Sequence, residues 1–227
     1  MSSNNTPSGA GGSALTLYMH PLSSFCHKVL IALYENAIPF TAHSVDLGDP
    51  AERARFERLW PIGQFPVLQD AARARTVPES TVIIEYLDRH HPGPVRLVPD
   101  DPERAAQVRA TDRFYDLHIH QLMQKIATDH LRPSDGHDPV GVGQARERLR
   151  TALRVAESEM ADRRWAAGEQ FSMADCAAAP ALFYTNRIMP LSDGFPHLSA
   201  YLERLTSRPS YARALAEAQP YLARFPG

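Results

Sequence analysis

Apolar and polar positions change period several times along the chain, and each change marks an element. Leu15 to Met19 is a short run of apolar, β-favouring residues, the pattern of a strand. After it, Phe25, Val29, Leu30, Ala32 and Leu33 recur at helical spacing, and Pro39 closes that helix. Phe40 to Val45 predicts a second strand, and Asp49 to Trp60 a short polar helix with Pro50 in its first turn. Phe65 to Asp70 and Arg73 to Val77 read as two further extended runs, with a turn around Asp70 and Ala71. From Glu79 to His90, Val82, Ile83, Tyr86 and Leu87 mark one face of another helix. The order βαβαββα predicts an α+β unit, a sheet with helices packed on it.

Pro92, Pro94, Pro99 and Pro102 then stop helix formation and stiffen the chain, so the boundary is placed there. Beyond it no strand pattern returns. Glu103 to Leu131 is one long helical pattern, Val142 to Trp165 a second, and Phe171 to Ile188, Pro196 to Ser207 and Pro209 to Gln219 are shorter ones. The expected organisation is a disordered leader at 1–13, an α+β domain at 14–91, a linker at 92–101 and an all-α domain at 102–227. The leader is rich in Ser, Asn and Gly, with no basic start or apolar run, so it reads as neither a signal nor a transit peptide.

Composition narrows the function classes. At 227 residues the chain suits two small domains, each able to bury a core. A formal net charge of −2 gives no electrostatic footprint for nucleic acid or an anionic membrane. Cys26 and Cys176 lie far apart in helical segments, which is no disulfide framework and fits a reducing compartment. No run approaches the ~18 apolar residues of a membrane span, so a soluble, cytoplasmic protein is expected.

Few segments carry chemistry on their own. In Gly63 to Asp70, Pro66 opens a short strand; taken alone it reads as a trans proline at a strand start, with a cis Phe65–Pro66 bond as the alternative. Glu79 and Ser80 lead into a helix, where a capping serine and an acidic first turn explain both. A helix start is also an anion site, and a neighbouring carboxylate can hold an amine. Ser172 and Asp175 form a variant capping box with Phe171 and Cys176 as its hydrophobic staple, a folding signal that makes Cys176 a buried hydrophobe. His118 and His120 face differently on a helix, and no metal-ligand spacing appears, so no metal is expected.

The segments Ser23 to Val29, Gly63 to Leu68, Glu79 to Pro92 and Phe171 to Cys176, in that order and at those separations, resemble the cytosolic glutathione transferases of the serine-using, bacterial type. The resemblance covers Leu15 to about Arg224. It implies a thioredoxin-like N-terminal domain followed by an all-α C-terminal domain, and glutathione as cosubstrate. By the same resemblance Pro66 is a cis proline, the Phe65 main chain pairs with the cysteinyl part of glutathione, Glu79 and Ser80 hold its γ-glutamyl end, and Gln64 sits near the cysteinyl-glycine end. Ser23 matches the serine that favours the glutathione thiolate, with Ser24 one register away. A free thiol, pKa about 8.5, is mostly protonated at neutral pH, so lowering that value raises the reactive fraction.

The expected activity is activation of the glutathione thiol for attack on a small hydrophobic electrophile. Thiol transfer or peroxide reduction through Cys26, and a non-catalytic regulatory protein of the same fold, are the alternatives. Cys26 occupies the second position of a C-x-x-C pattern whose first cysteine is replaced by Ser23, which favours packing over reactivity. By the same resemblance the electrophile pocket is expected between the domains, lined from His20 to Leu22, around Tyr115 and His118, and near Tyr221, in a homodimer.

Overall fold

The computed structural model describes residues 13–225. The expected leader therefore lies outside the described residues, apart from Ser13, whose hydroxyl donates to the Pro39 carbonyl at 2.6 Å.

The first part of the chain is β1 (Leu15–Met19), α1 (Ser24–Glu35), β2 (Thr41–Ser44), α2 (Pro50–Leu59), β3 (Val67–Asp70), β4 (Arg75–Pro78) and α3 (Ser80–His90). The strands form one mixed sheet in the order β2-β1-β3-β4. β1 runs parallel to β2, with Leu17 opposite Ala42, and antiparallel to β3, with Leu17 opposite Leu68. β3 pairs antiparallel with β4, Leu68 opposite Val77. Side-chain alternation splits β1 between two faces. Leu15, Leu17 and Met19 join the main core with α1 and α3, while Tyr18 turns to a smaller cluster of Val45, Phe56 and Val67 beneath α2. This is the thioredoxin-like arrangement.

α4 (Pro102–Phe114), a π-helical segment (Tyr115–His120), α5 (Gln121–Asp129), α6 (Pro139–Met160), α7 (Met173–Ile188), α8 (Pro196–Thr206) and α9 (Pro209–Ala218) follow, ending in a 3₁₀ turn (Gln219–Arg224). The expected all-α half is present. The single long helix expected at 103–131 is instead two α-helices joined through a π-helical turn, whose wider backbone spacing re-aims the side chains that follow.

α1 lies at the centre of the molecule. Cys26 to Leu33 are buried without a break, because α3, α7 and α9 pack against α1 and the apolar residues of β1 and β3 share its core. A helix buried all round must satisfy every polar group it carries. His27 Nε2 reaches the Pro21 carbonyl at 2.6 Å, and Lys28 finds its partners on α3, α4 and the π segment. On α3 the inward face is Ile83, Ile84 and Leu87, whereas Val82, expected to be inside, is 53% exposed. The capping box at Ser172 is formed as expected. Asp175 accepts from the Ser172 and Ala166 amides at 2.8 Å each and from the Tyr201 hydroxyl at 2.5 Å, tying α7 to α8.

Candidate functional site

Two adjoining hollows meet where the N-terminus of α1 faces α5. The larger, about 540 Å³, is bordered by Ser23, Ser24, Gln64 and Phe65 on one side and by His120 and Met123 on the other. The smaller, about 190 Å³, is bordered by Gln64, Phe65, Pro66, Glu79, Ser80 and Arg113. Phe25, Gln64 and Phe65 border both. All seven residues singled out in the sequence, Ser23, Ser24, Gln64, Phe65, Pro66, Glu79 and Ser80, thus come together around these two adjoining hollows.

Each is placed by local chain chemistry. Ser23 is the N-cap of α1: its Oγ accepts from the Cys26 amide at 3.4 Å and lies within hydrogen-bonding reach of the Cys26 thiol, at the positive end of the helix. Ser24, the first helical residue, sets its Oγ against Nε2 of His120. The Pro61 to Gln64 turn closes through the Gly63 amide on the Trp60 carbonyl at 2.9 Å. Gly63 sits at φ 69°, in the left-handed region where a residue without Cβ is unstrained, and delivers Gln64 to the cavity. The Phe65–Pro66 bond is cis.

Glu79 is a non-glycine residue at φ 70° and, in place of Ser80, is the N-cap of α3. Its side chain makes no capping bond, so both the carboxylate and the first amides of α3 stay free for the small hollow. A left-handed non-glycine residue costs about 1–3 kcal/mol and persists where its surroundings over-determine it, commonly at a ligand site.

The neighbouring groups set the electrostatics. Cys26 is fully buried, and loss of solvation pushes its thiol up to about 12, so it carries no thiolate at neutral pH. His120, also buried, is lowered to about 4 by the same desolvation and is a neutral imidazole. His27 is lowered to about 4 likewise. Lys28 Nζ lies 2.6 Å from Asp112 and 2.8 Å from Asp116, and Asp116 also receives Arg113 at 3.0 Å beside the small hollow.

The expected pocket lining is partly corrected. His20 and Leu22 border the larger hollow, but Tyr115, at the start of the π segment, is buried in the core and His118 points to solvent. His120 takes the place assigned to His118, since the π turn shifts which side of the helix faces α1. The Tyr221 ring lies 5.2 Å from that of His20, and Phe225 borders the hollow directly. The missed residue was signalled: His120, Met123, Ala127 and Leu131 recur at helical spacing, a histidine within an apolar stripe.

Comparison with known proteins agrees with this geometry. The family model for the glutathione S-transferase N-terminal domain matches residues 17–95, and that for the C-terminal domain matches residues 70–204. The FtsZ-localized protein A of Caulobacter vibrioides is 32% identical over 221 residues, covering 92% of this chain and 93% of its own. The maleylacetoacetate isomerase of Pseudomonas aeruginosa is 27% identical over 210 residues, covering 91% and 98%. A solved glutathione S-transferase from Methylobacterium radiotolerans, in complex with glutathione sulfonate, superposes with a TM-score of 0.76 at 26% identity, over 88% of this chain and 93% of that one. With both halves matched in their proper order on the fold described above, the chain belongs to the glutathione S-transferase family.

Proposed function

We propose that this protein is a serine-type glutathione transferase that ionises the thiol of bound glutathione for attack on a small hydrophobic electrophile. The observation that carries the reading is Ser23: a helix N-cap at the positive end of α1 that borders the same concavity as Gln64 and Phe65.

Glutathione suits the two hollows by its chemistry. Its γ-glutamyl α-amino group pairs with the Glu79 carboxylate, and its α-carboxylate with the free amides at the start of α3 around Ser80. The main chain of Phe65, ahead of Pro66, takes the cysteinyl part, and Gln64 lies toward the glycine end. The thiol then falls near Ser23, whose O–H donates to the sulfur while the α1 N-terminus favours its negative charge. The larger hollow is mostly apolar and takes the electrophile. A glutathione-binding unit at 14–91, a connection at 92–101, a helical unit from 102, homodimeric assembly and detoxification in the cytoplasm belong to the same reading.

Thiol exchange through Cys26 is disfavoured by that residue's burial and raised pKa. A non-catalytic role draws on the 32% identical relative, which is named for its localisation rather than for a reaction. Calorimetric titration with glutathione separates the two: saturable binding, with conjugation slowed in Ser23→Ala, is expected of the transferase, and absence of binding overturns it.

A further inference from the structure

Ser23 stands at the end of a short turn between β1 and α1, whose His20, Leu22 and Ser23 border the larger hollow. Two consecutive peptide planes lead through that turn to Ser23, and each is held at both ends. In the Pro21–Leu22 plane the Leu22 amide donates to Nδ1 of His20 at 3.1 Å, and the Pro21 carbonyl accepts from Nε2 of His27 at 2.6 Å. In the Leu22–Ser23 plane the Ser23 amide donates to the His20 carbonyl at 3.0 Å, and the Leu22 carbonyl accepts from the Tyr184 hydroxyl at 2.8 Å.

Two of these bonds are internal to the turn, and two reach out of it to buried side chains on other elements. His27 lies on α1 and Tyr184 on α7, each with next to no exposure. Nε2 of His27 faces a carbonyl, which can only accept, so the ring proton sits there and Nδ1 is bare. That Nδ1 is buried without a partner, and an unmet acceptor is the milder of the two arrangements open to the ring. A peptide unit is rigid, so one bond at its amide and another at its carbonyl fix its orientation, and Pro21 adds a fixed φ. With the plane before Ser23 fixed, the direction in which its side chain leaves the backbone is fixed too. His27 borders neither hollow, and Tyr184 borders only the larger.

We infer that His27 and Tyr184 are positioning residues for the thiol-activating serine: by holding the Pro21 and Leu22 carbonyls they fix the peptide planes that aim Ser23 Oγ at the glutathione sulfur. The inference rests on the proposed transferase function and adds to it two residues that act on the sulfur only through Ser23. A hydrogen bond weakens steeply with distance and misalignment, so a donor that wanders stabilises the thiolate far less. Loss of either anchor frees a carbonyl and lets its plane rotate, and Ser23 then spends part of its time aimed elsewhere. The loss falls on the acidity of the bound thiol and on kcat. Glutathione affinity at low pH, where the bound thiol keeps its proton, stays at the parent value. Because the effect runs through Ser23, it vanishes once the Ser23 hydroxyl is gone.

The test follows thiolate absorbance against pH in the glutathione-saturated parent, Tyr184→Phe, His27→Leu, His27→Gln, Ser23→Ala and the double variant Ser23→Ala with Tyr184→Phe. Tyr184→Phe, which removes one hydroxyl, is expected to raise the midpoint by about half a pH unit or more, so that below the midpoint the thiolate fraction falls about threefold. His27→Leu moves it the same way, and His27→Gln, which keeps an N–H donor, recovers part of the shift. The double variant titrates as Ser23→Ala does. An unchanged midpoint in Tyr184→Phe, or a shift that adds to that of Ser23→Ala, overturns this inference alone when the parent's bound thiol is acidified and Ser23→Ala reverses it. Tyr184→Phe decides the matter even where His27→Leu fails to fold. A parent whose bound thiol titrates as free glutathione does overturns the transferase reading and this inference with it.

Discussion

At the scale of single residues, the site is built from groups held in conformations or protonation states they would not choose in water. Glu79 at φ 70° is the clearest case. Glycine occupies that region freely, so Glu79→Gly is expected to leave thermal stability unchanged or slightly higher while weakening glutathione binding about tenfold or more, as loss of a charged contact does. Calorimetry beside a thermal melt checks both; a variant that melts lower and binds as the parent would contradict the assignment. His27 supplies a second case. Burial lowers its folded pKa to about 4 from an ordinary 6.5, so the unfolded chain binds the proton first as pH falls. The stability this neutral ring represents is complete above pH 6.5 and is lost on the way down to about 4, and His120 acts in the same direction. Asp175, raised to about 6, acts oppositely over part of that window. Urea midpoints at pH 7 and 5 should therefore fall in the parent and fall less in His27→Phe; equal falls would show that His27 does not carry the effect.

At the scale of elements, the interior of α1 decides how the two halves of the chain are joined. Lys28, 1% exposed, meets Thr81 on α3 at 2.8 Å, Asp112 on α4 at 2.6 Å and Asp116 on the π segment at 2.8 Å. Thr81 in turn donates to Asp112 at 2.8 Å. Removing the cation strands the buried Asp112 carboxylate and leaves Asp116 with Arg113 alone, which costs about 3–5 kcal/mol, whereas replacing the whole group by neutral residues costs much less. Lys28→Met is expected to lose that much in denaturant unfolding, and Lys28→Met with Asp112→Asn and Asp116→Asn to regain most of it. Additive losses would contradict a coupled network. None of this was legible in the sequence, because a lysine in a helical stripe reads as solvent-facing until the partners that bury it are known. The helices and strands themselves were legible, since period and punctuation fix them locally. The π turn was not, because it depends on how α4, α5 and the segment between them pack against α7 rather than on any residue type within it.

At the scale of the whole molecule, order along the chain proved more informative than any single motif. Pro66, Glu79 and Ser80 each had an ordinary structural explanation, and only the succession of segments pointed to one site. Folding brings them to the joint between the sheet and the α4–α5 arm, which is the reason the succession matters. What succession does not encode is the far wall of the cavity: His120 and Phe225 arrive from segments whose register depends on tertiary packing. The central claim is that this concavity binds glutathione and that Ser23 ionises its thiol. Thiolate absorbance of the saturated complex, followed against pH in the parent and in Ser23→Ala, tests it most directly. The account predicts a bound thiol that ionises at least ~1 pH unit below the free value of about 8.5, with Ser23→Ala returning it toward that value. A bound thiol that titrates as free glutathione does in both proteins would contradict it.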